Sequence, residues 1–163
     1  MFDAELSLKA EQLIQAAIAR NLWLTTAESC TGGLIGGVLT AVSGASAVVG
    51  AGFITYSNEA KQSLLGVSLQ TLERFGAVSA EVAREMAVGS LKSTQADMAL
   101  AVTGIAGPTG GSVEKPVGLV FIAGALGDEV KVERHEFGPL GRDSVRRESV
   151  LAALSLGLGL VNG

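Results

Sequence analysis

The chain has 163 residues, 48% hydrophobic and only 17% charged, with a net charge of -4. That length fits one domain, residues 1–163, with a sizeable core. The acidic balance, with no Lys/Arg cluster interleaved with aromatics, argues against nucleic acid as a partner.

Cys30 is the only cysteine and His135 the only histidine, which rules out a disulfide framework and leaves too few soft ligands for zinc. No metal and no organic cofactor is expected. So apolar a composition leaves room for a subunit interface, and a homo-oligomer is expected. The amino end carries acids and lacks a basic region followed by an apolar stretch, so it does not read as a signal peptide, and a cytoplasmic location is the default.

Residues 5–20 place Leu6, Leu13, Ile14, Ala17 and Ile18 on one helical face, with acids early and Arg20 last. A short Thr-containing run at 22–27 reads as a strand, breaks at Glu28-Ser29-Cys30-Thr31-Gly32-Gly33, and gives way to a helix at 34–42. No charge occurs between Glu28 and Glu59, longer than the roughly 20 residues a membrane span needs. Acidic flanks and repeated glycines count against a span, so this stretch is read as a buried helix followed by a buried strand, and no membrane partner is expected.

That second strand covers 48–56, after which Ser57-Asn58 offers a cap and puts Lys61 in the first turn of a helix. Further helix is predicted at 70–75 and at 81–92 behind a Ser79 cap, then a strand at 98–103 and a glycine-rich loop at 104–116. Two strands, 117–125 and 129–137, flank a tight turn at Leu126-Gly127-Asp128, and Asp143 is expected to cap a last helix running to about Val161. Helices alternating with the first three strands predict an α/β fold: a three-layer α/β/α sandwich around a mixed, largely parallel sheet of about five strands. Right-handed crossovers then bring Ser29, residues 56–61 and Thr103-Gly104 to one rim, where open sheets bind ligands.

Ser29 sits where a strand enters a helix, so it is either a helix cap or a nucleophile with the amides of Thr31, Gly32 or Gly33 facing a developing oxyanion. A serine needs a base, and His135 lies in a strand among charges. Lys61 is the alternative: its helix start and burial would both disfavour the ammonium, although lysine ordinarily titrates near ~10.4 and the helix end alone is too weak. The bland reading of Lys61 is a solvated surface lysine. Tyr56 either shares a proton path or closes the core at its strand end. Cys30 is read as a small buried hydrophobe, since neighbouring side chains diverge and only one can point at substrate. The loop from Gly104 to Pro108 lets backbone approach a phosphate or ribose, and Arg142, Arg146 and Arg147 surround a helix start that could hold a phosphate or be a solvated basic face.

Four segments together carry a resemblance: Thr26-Ala27-Glu28-Ser29-Cys30-Thr31-Gly32-Gly33, Tyr56-Ser57-Asn58 with Lys61, Gly76-Ala77-Val78-Ser79, and Thr103-Gly104-Ile105-Ala106-Gly107-Pro108 followed by Lys115-Pro116-Val117-Gly118. In order, and over nearly the whole chain, they resemble the CinA carboxy-terminal domain family, the nicotinamide-nucleotide amidases. The resemblance implies hydrolysis of nicotinamide mononucleotide, a small nucleotide substrate, to nicotinate mononucleotide and ammonia in bacterial pyridine nucleotide recycling. It also implies a serine nucleophile at Ser29, a catalytic lysine at Lys61, and places for Tyr56, Thr103 and Arg142 near substrate. The chain resembles the stand-alone form of the domain. The rival reading is a non-catalytic nucleotide- or partner-binding domain in which Ser29 only caps a helix.

Overall fold

The computed structural model describes all 163 residues. Five strands form one sheet in the order β2-β1-β3-β4-β5: β1 (Leu24–Glu28), β2 (Val49–Ile54), β3 (Met98–Gly104), β4 (Leu119–Leu126) and β5 (Glu129–Glu136). β1 pairs parallel with both β2 and β3, whereas β4 is antiparallel to its neighbours β3 and β5. Every strand except β4 therefore runs the same way, and the expected mixed, largely parallel sheet is observed.

The two faces of β3 show why the molecule has three layers. Met98, Leu100 and Val102 project into one core with α1 (Ala4–Arg20), α2 (Leu34–Thr40) and α6 (Arg142–Asn162). Ala99 and Ala101 alternate onto the other face, where Ala27, Ala123 and Ala125 join them beneath α5 (Ala80–Thr94). Period-two alternation sorts the side chains, and the alanine face lets α5 lie close to the sheet. α3 (Asn58–Leu65) and α4 (Leu69–Phe75) complete that layer.

α3 positions the site, and its placement depends on one glycine. A Cβ at Gly89 of α5 would sit 1.8 Å from the Leu65 carbonyl oxygen, so only glycine allows α5 to touch the end of α3. The Ser57 side chain accepts from the Ala60 N–H and starts α3, and Ser79 starts α5 in the same way by accepting from Val82, as their sequence positions imply.

Several expectations shift. β2 is not buried: it is an edge strand whose residues Gly50, Ala51, Gly52 and Ile54 are exposed. Its continuous apolar character suggested burial on both faces, but small residues at a sheet edge give the same pattern. β2 also ends at Ile54, leaving Tyr56 outside the strand, and a 3-10 turn at Ala45–Ala47 stands between α2 and β2. α6 is preceded by Gly141 at φ 90° rather than capped by Asp143, which lies inside the first turn. No helix is long and apolar enough to cross a membrane.

Candidate active site

The carboxyl ends of β1, β2 and β3 meet on one rim. β1 stops at Glu28, and Ser29 is held there by its own N–H, which donates to the Val102 carbonyl of β3 at 2.9 Å. From the β2 side, the Thr55 N–H donates to the Glu28 carbonyl at 2.8 Å, fixing the segment that leads into α3. Lys61 then projects from α3 back across this junction, and its Nζ lies 3.1 Å from the Ser29 Oγ and 2.7 Å from the Thr55 carbonyl oxygen.

Both side chains are inside the protein, Lys61 at 1% exposure and Ser29 at 8%. None of the ion pairs in the chain involves Lys61. Burial therefore acts on its ammonium without a carboxylate to offset it, and lowers its pKa from the usual lysine value, against a weaker upward pull from Cys30. The solvated-surface reading of Lys61 is overturned. The hydroxyls of Thr31, two residues after Ser29, and of Thr55, whose carbonyl holds Lys61, are buried and have no hydrogen-bond partner.

Glu28 is the residue that sequence reasoning passed over. Its side chain is 1% exposed, and its carboxylate accepts from the Gly33 and Ile35 N–H groups at 3.0 Å each and from Gly36 at 2.8 Å. A helix start leaves such donors unsatisfied, and here a buried anion from the preceding strand takes them. The Leu34 N–H donates to Thr31 and the Gly32 N–H to the Ser29 carbonyl. The expectation that Gly32 and Gly33 amides face an oxyanion is thus corrected, because both are already committed. The Cys30 and Thr31 N–H groups are the two in this turn that donate to no carbonyl or carboxylate. The only signal in the sequence was an acid beside the nucleophile candidate and five residues before a left-handed glycine, Gly33 at φ 94°.

Cys30 faces the core beside Ile35, and burial pushes its thiol up to about 11. It is a packing residue. Cys30→Ala is expected to keep turnover within about threefold of the parent and to cost about 1 kcal/mol of stability, read by steady-state kinetics and denaturant unfolding. A loss of activity with stability intact would move the nucleophile to sulfur.

Beyond the pair, the remaining candidates divide. Tyr56 is 60% exposed and its hydroxyl accepts from Arg142 Nη2 at 3.0 Å, while Arg142 Nη1 donates to the Gly107 carbonyl at 3.1 Å. The phenol bonds neither Lys61 nor Ser29 and lies at the exposed rim, so it does not close the core. Arg142 thereby ties the start of α6 to the Tyr56 segment and the glycine loop. Thr103 is buried and donates its hydroxyl to the Ala77 carbonyl at 2.7 Å, bracing the rim, and Gly104 ends β3 against β4, with no room for a Cβ beside Val120.

The three arginines have different duties. Arg146 Nη2 donates to the Thr31 carbonyl at 3.1 Å, so it touches the turn that carries Ser29 directly. Arg147 is bound by Asp3, Glu5 and Glu148 and is a structural tie between α1 and α6. His135, on the far edge strand β5, pairs with Glu133 and stacks on Phe137, with β3 and β4 between it and β1. No three metal-ligating side chains converge anywhere in the chain.

Residues 7–160 match the family model of the CinA C-terminal domain. The chain belongs to the CinA C-terminal domain family. Within that family it is 49% identical to the nicotinamide-nucleotide amidohydrolase PncC of Escherichia coli, spanning 94% of this chain and 93% of that protein. The crystal structure of the competence/damage inducible protein CihA from Agrobacterium tumefaciens is similar with a TM-score of 0.97 at 46% identity, covering 100% of this chain and 99% of that one. A CinA superfamily protein from Klebsiella pneumoniae is similar at a TM-score of 0.92 and 34% identity, covering 96% and 98% of the two chains. The CinA C-terminal fold thus extends over the whole chain, and the sandwich expected from the sequence is that fold.

Proposed function

We propose that this chain is an amidohydrolase that converts nicotinamide mononucleotide to nicotinate mononucleotide and ammonia through an acyl-serine at Ser29. The observation that carries this reading is the 3.1 Å approach of the Lys61 amine to the Ser29 hydroxyl inside the protein, with no acid to hold the amine charged. The likeness to the Escherichia coli protein, whose name states an action on nicotinamide nucleotides, supports the choice of substrate.

The chemistry follows from the geometry. One N–H of the neutral amine donates to the Thr55 carbonyl, which leaves the lone pair to accept the Ser29 proton. The serine oxygen attacks the carboxamide carbon, and the resulting ammonium returns its proton to the departing nitrogen as the C–N bond breaks, releasing ammonia. Water then gives its proton to Lys61 and attacks the ester, and the proton passes back to the Ser29 oxygen as the acid leaves. Arg142, at the exposed rim with Tyr56 and Gly107, is assigned to the nucleotide phosphate, where a guanidinium offers paired donors. The protein works as a soluble cytoplasmic homo-oligomer on this reading.

Purified protein incubated with nicotinamide mononucleotide should release one ammonia per nicotinate mononucleotide formed, followed by an ammonia-coupled assay and by chromatography of the nucleotides. Tight binding of the nucleotide with no ammonia would instead favour a non-catalytic nucleotide-binding domain.

A further inference from the structure

We infer that Glu28 is a positioning residue that determines which amides receive the oxyanion, directing that role to the N–H groups of Cys30 and Thr31. The inference rests on the Ser29 mechanism and deepens it. It comes from a complete accounting of the donors around the turn. Ser29 N–H is used by Val102, Gly32 by Ser29, Leu34 by Thr31, and Gly33, Ile35 and Gly36 by the Glu28 carboxylate. Two N–H groups remain, on the residue after the nucleophile and on the next one. An N–H directly following a nucleophile is well placed for a developing oxyanion, because the backbone there bends around the attacked carbon.

Glu28 does more than cap α2. By taking the Gly33 amide it holds the C-terminal end of the turn against the helix, while the Ser29 N–H holds its other end against β3. Arg146 closes the third side by donating to the Thr31 carbonyl, which belongs to the same stretch as the free amides. A Cβ at Gly32 would lie 3.4 Å from the Arg146 Nη2, so this guanidinium packs directly on the turn. The turn is therefore fixed before substrate arrives, and such fixed donors stabilise a transition state without reorganising during the reaction. A neutral amide at position 28 cannot reproduce the arrangement: its nitrogen is a donor and would face an N–H, leaving one oxygen for three donors.

The test compares the parent protein with Glu28→Gln, using Ser29→Ala as reference. Three quantities are read: kcat and KM for nicotinamide mononucleotide, affinity for its aldehyde analogue, and affinity for the product nicotinate mononucleotide. The aldehyde carbon bonds to the Ser29 oxygen and places its own oxygen where the oxyanion forms, whereas the product makes only ground-state contacts. Glu28→Gln is expected to lower kcat by about 10²-fold, leave KM within about threefold, and weaken the aldehyde by about as much as kcat, with product affinity unchanged. A variant with parental kcat and aldehyde affinity overturns the inference, as does one in which product and aldehyde weaken together, which marks general damage to the site. Should Glu28→Gln not fold, Glu28→Asp keeps the charge but loses reach, and the same selective loss for the aldehyde is required of it. An inactive Ser29→Ala beside an unaffected Glu28→Gln sinks this inference alone, while an active Ser29→Ala sinks the nucleophile and this inference together.

Discussion

Ser29→Ala is expected to lower the release of ammonia from nicotinamide mononucleotide by about 10⁴-fold or more while the protein stays folded. The size of the effect follows from what the hydroxyl does. It is the only group in contact with the Lys61 amine that can form a bond to carbon, since the other contact is a backbone carbonyl. Removing one oxygen at a position 8% exposed leaves a small space and frees one side of the amine, so the melting temperature should move by only a few degrees. Affinity for the product should hold, because the rim built by Arg142, Tyr56 and Gly107 does not pass through Ser29. Substrate turnover within about tenfold of the parent, in a variant that binds product normally, would remove Ser29 from the chemistry.

The parts of this site that were legible in the sequence share a physical property: each is announced locally. Ser29 stands at a strand-to-glycine break, and Ser57-Asn58 announces the helix start that carries Lys61, so both could be placed at strand ends before any contact was known. Burial of Lys61 was not legible. It depends on α3 lying across the junction of β1 and β2, which in turn depends on Gly89 of α5, distant in the chain from both. Glu28 was hidden for a different reason. An acid at the end of a strand ordinarily faces water, and nothing local says that the next turn folds three amides onto its carboxylate.

The arginines make the same point from the other side. Arg142, Arg146 and Arg147 look equivalent in sequence, five residues apart at most, yet one meets the rim, one the turn that carries Ser29 and one the acids of α1. Their helical phase sets this, and the partners come from segments 35 to 144 residues away in the chain, Glu148 beside Arg147 excepted. The edge position of β2 was likewise set by topology, since a parallel strand beside β1 could have continued the sheet further. Continuous apolar sequence does not distinguish an edge of glycine and alanine from a buried strand.

Lys61→Met is expected to match Ser29→Ala in lost turnover, and to separate from it in how the fold responds to pH. Burial lowers the Lys61 pKa in the folded chain below the ordinary value near ~10.4 that the unfolded chain keeps. Below the lowered value both states hold the proton, and the folded state carries the full cost of a buried charge. Between the two values the unfolded chain holds a proton that the folded chain has released, so stability contributed by this group rises with pH. Methionine removes that dependence. The variant should therefore melt at or above the parent near neutral pH, each kcal/mol being worth about 2–4 °C in a chain of this size, and its advantage should shrink as pH approaches ~10.4. On the proposed mechanism the same deprotonation supplies the base, so kcat/KM of the parent should rise with pH along a limb set below the usual lysine range. His135→Ala should leave that limb where it is, because His135 lies on the opposite edge of the sheet. A limb that moved with His135 but not with substitutions around Lys61 would give the proton transfer to the imidazole and leave the buried amine as a packing group.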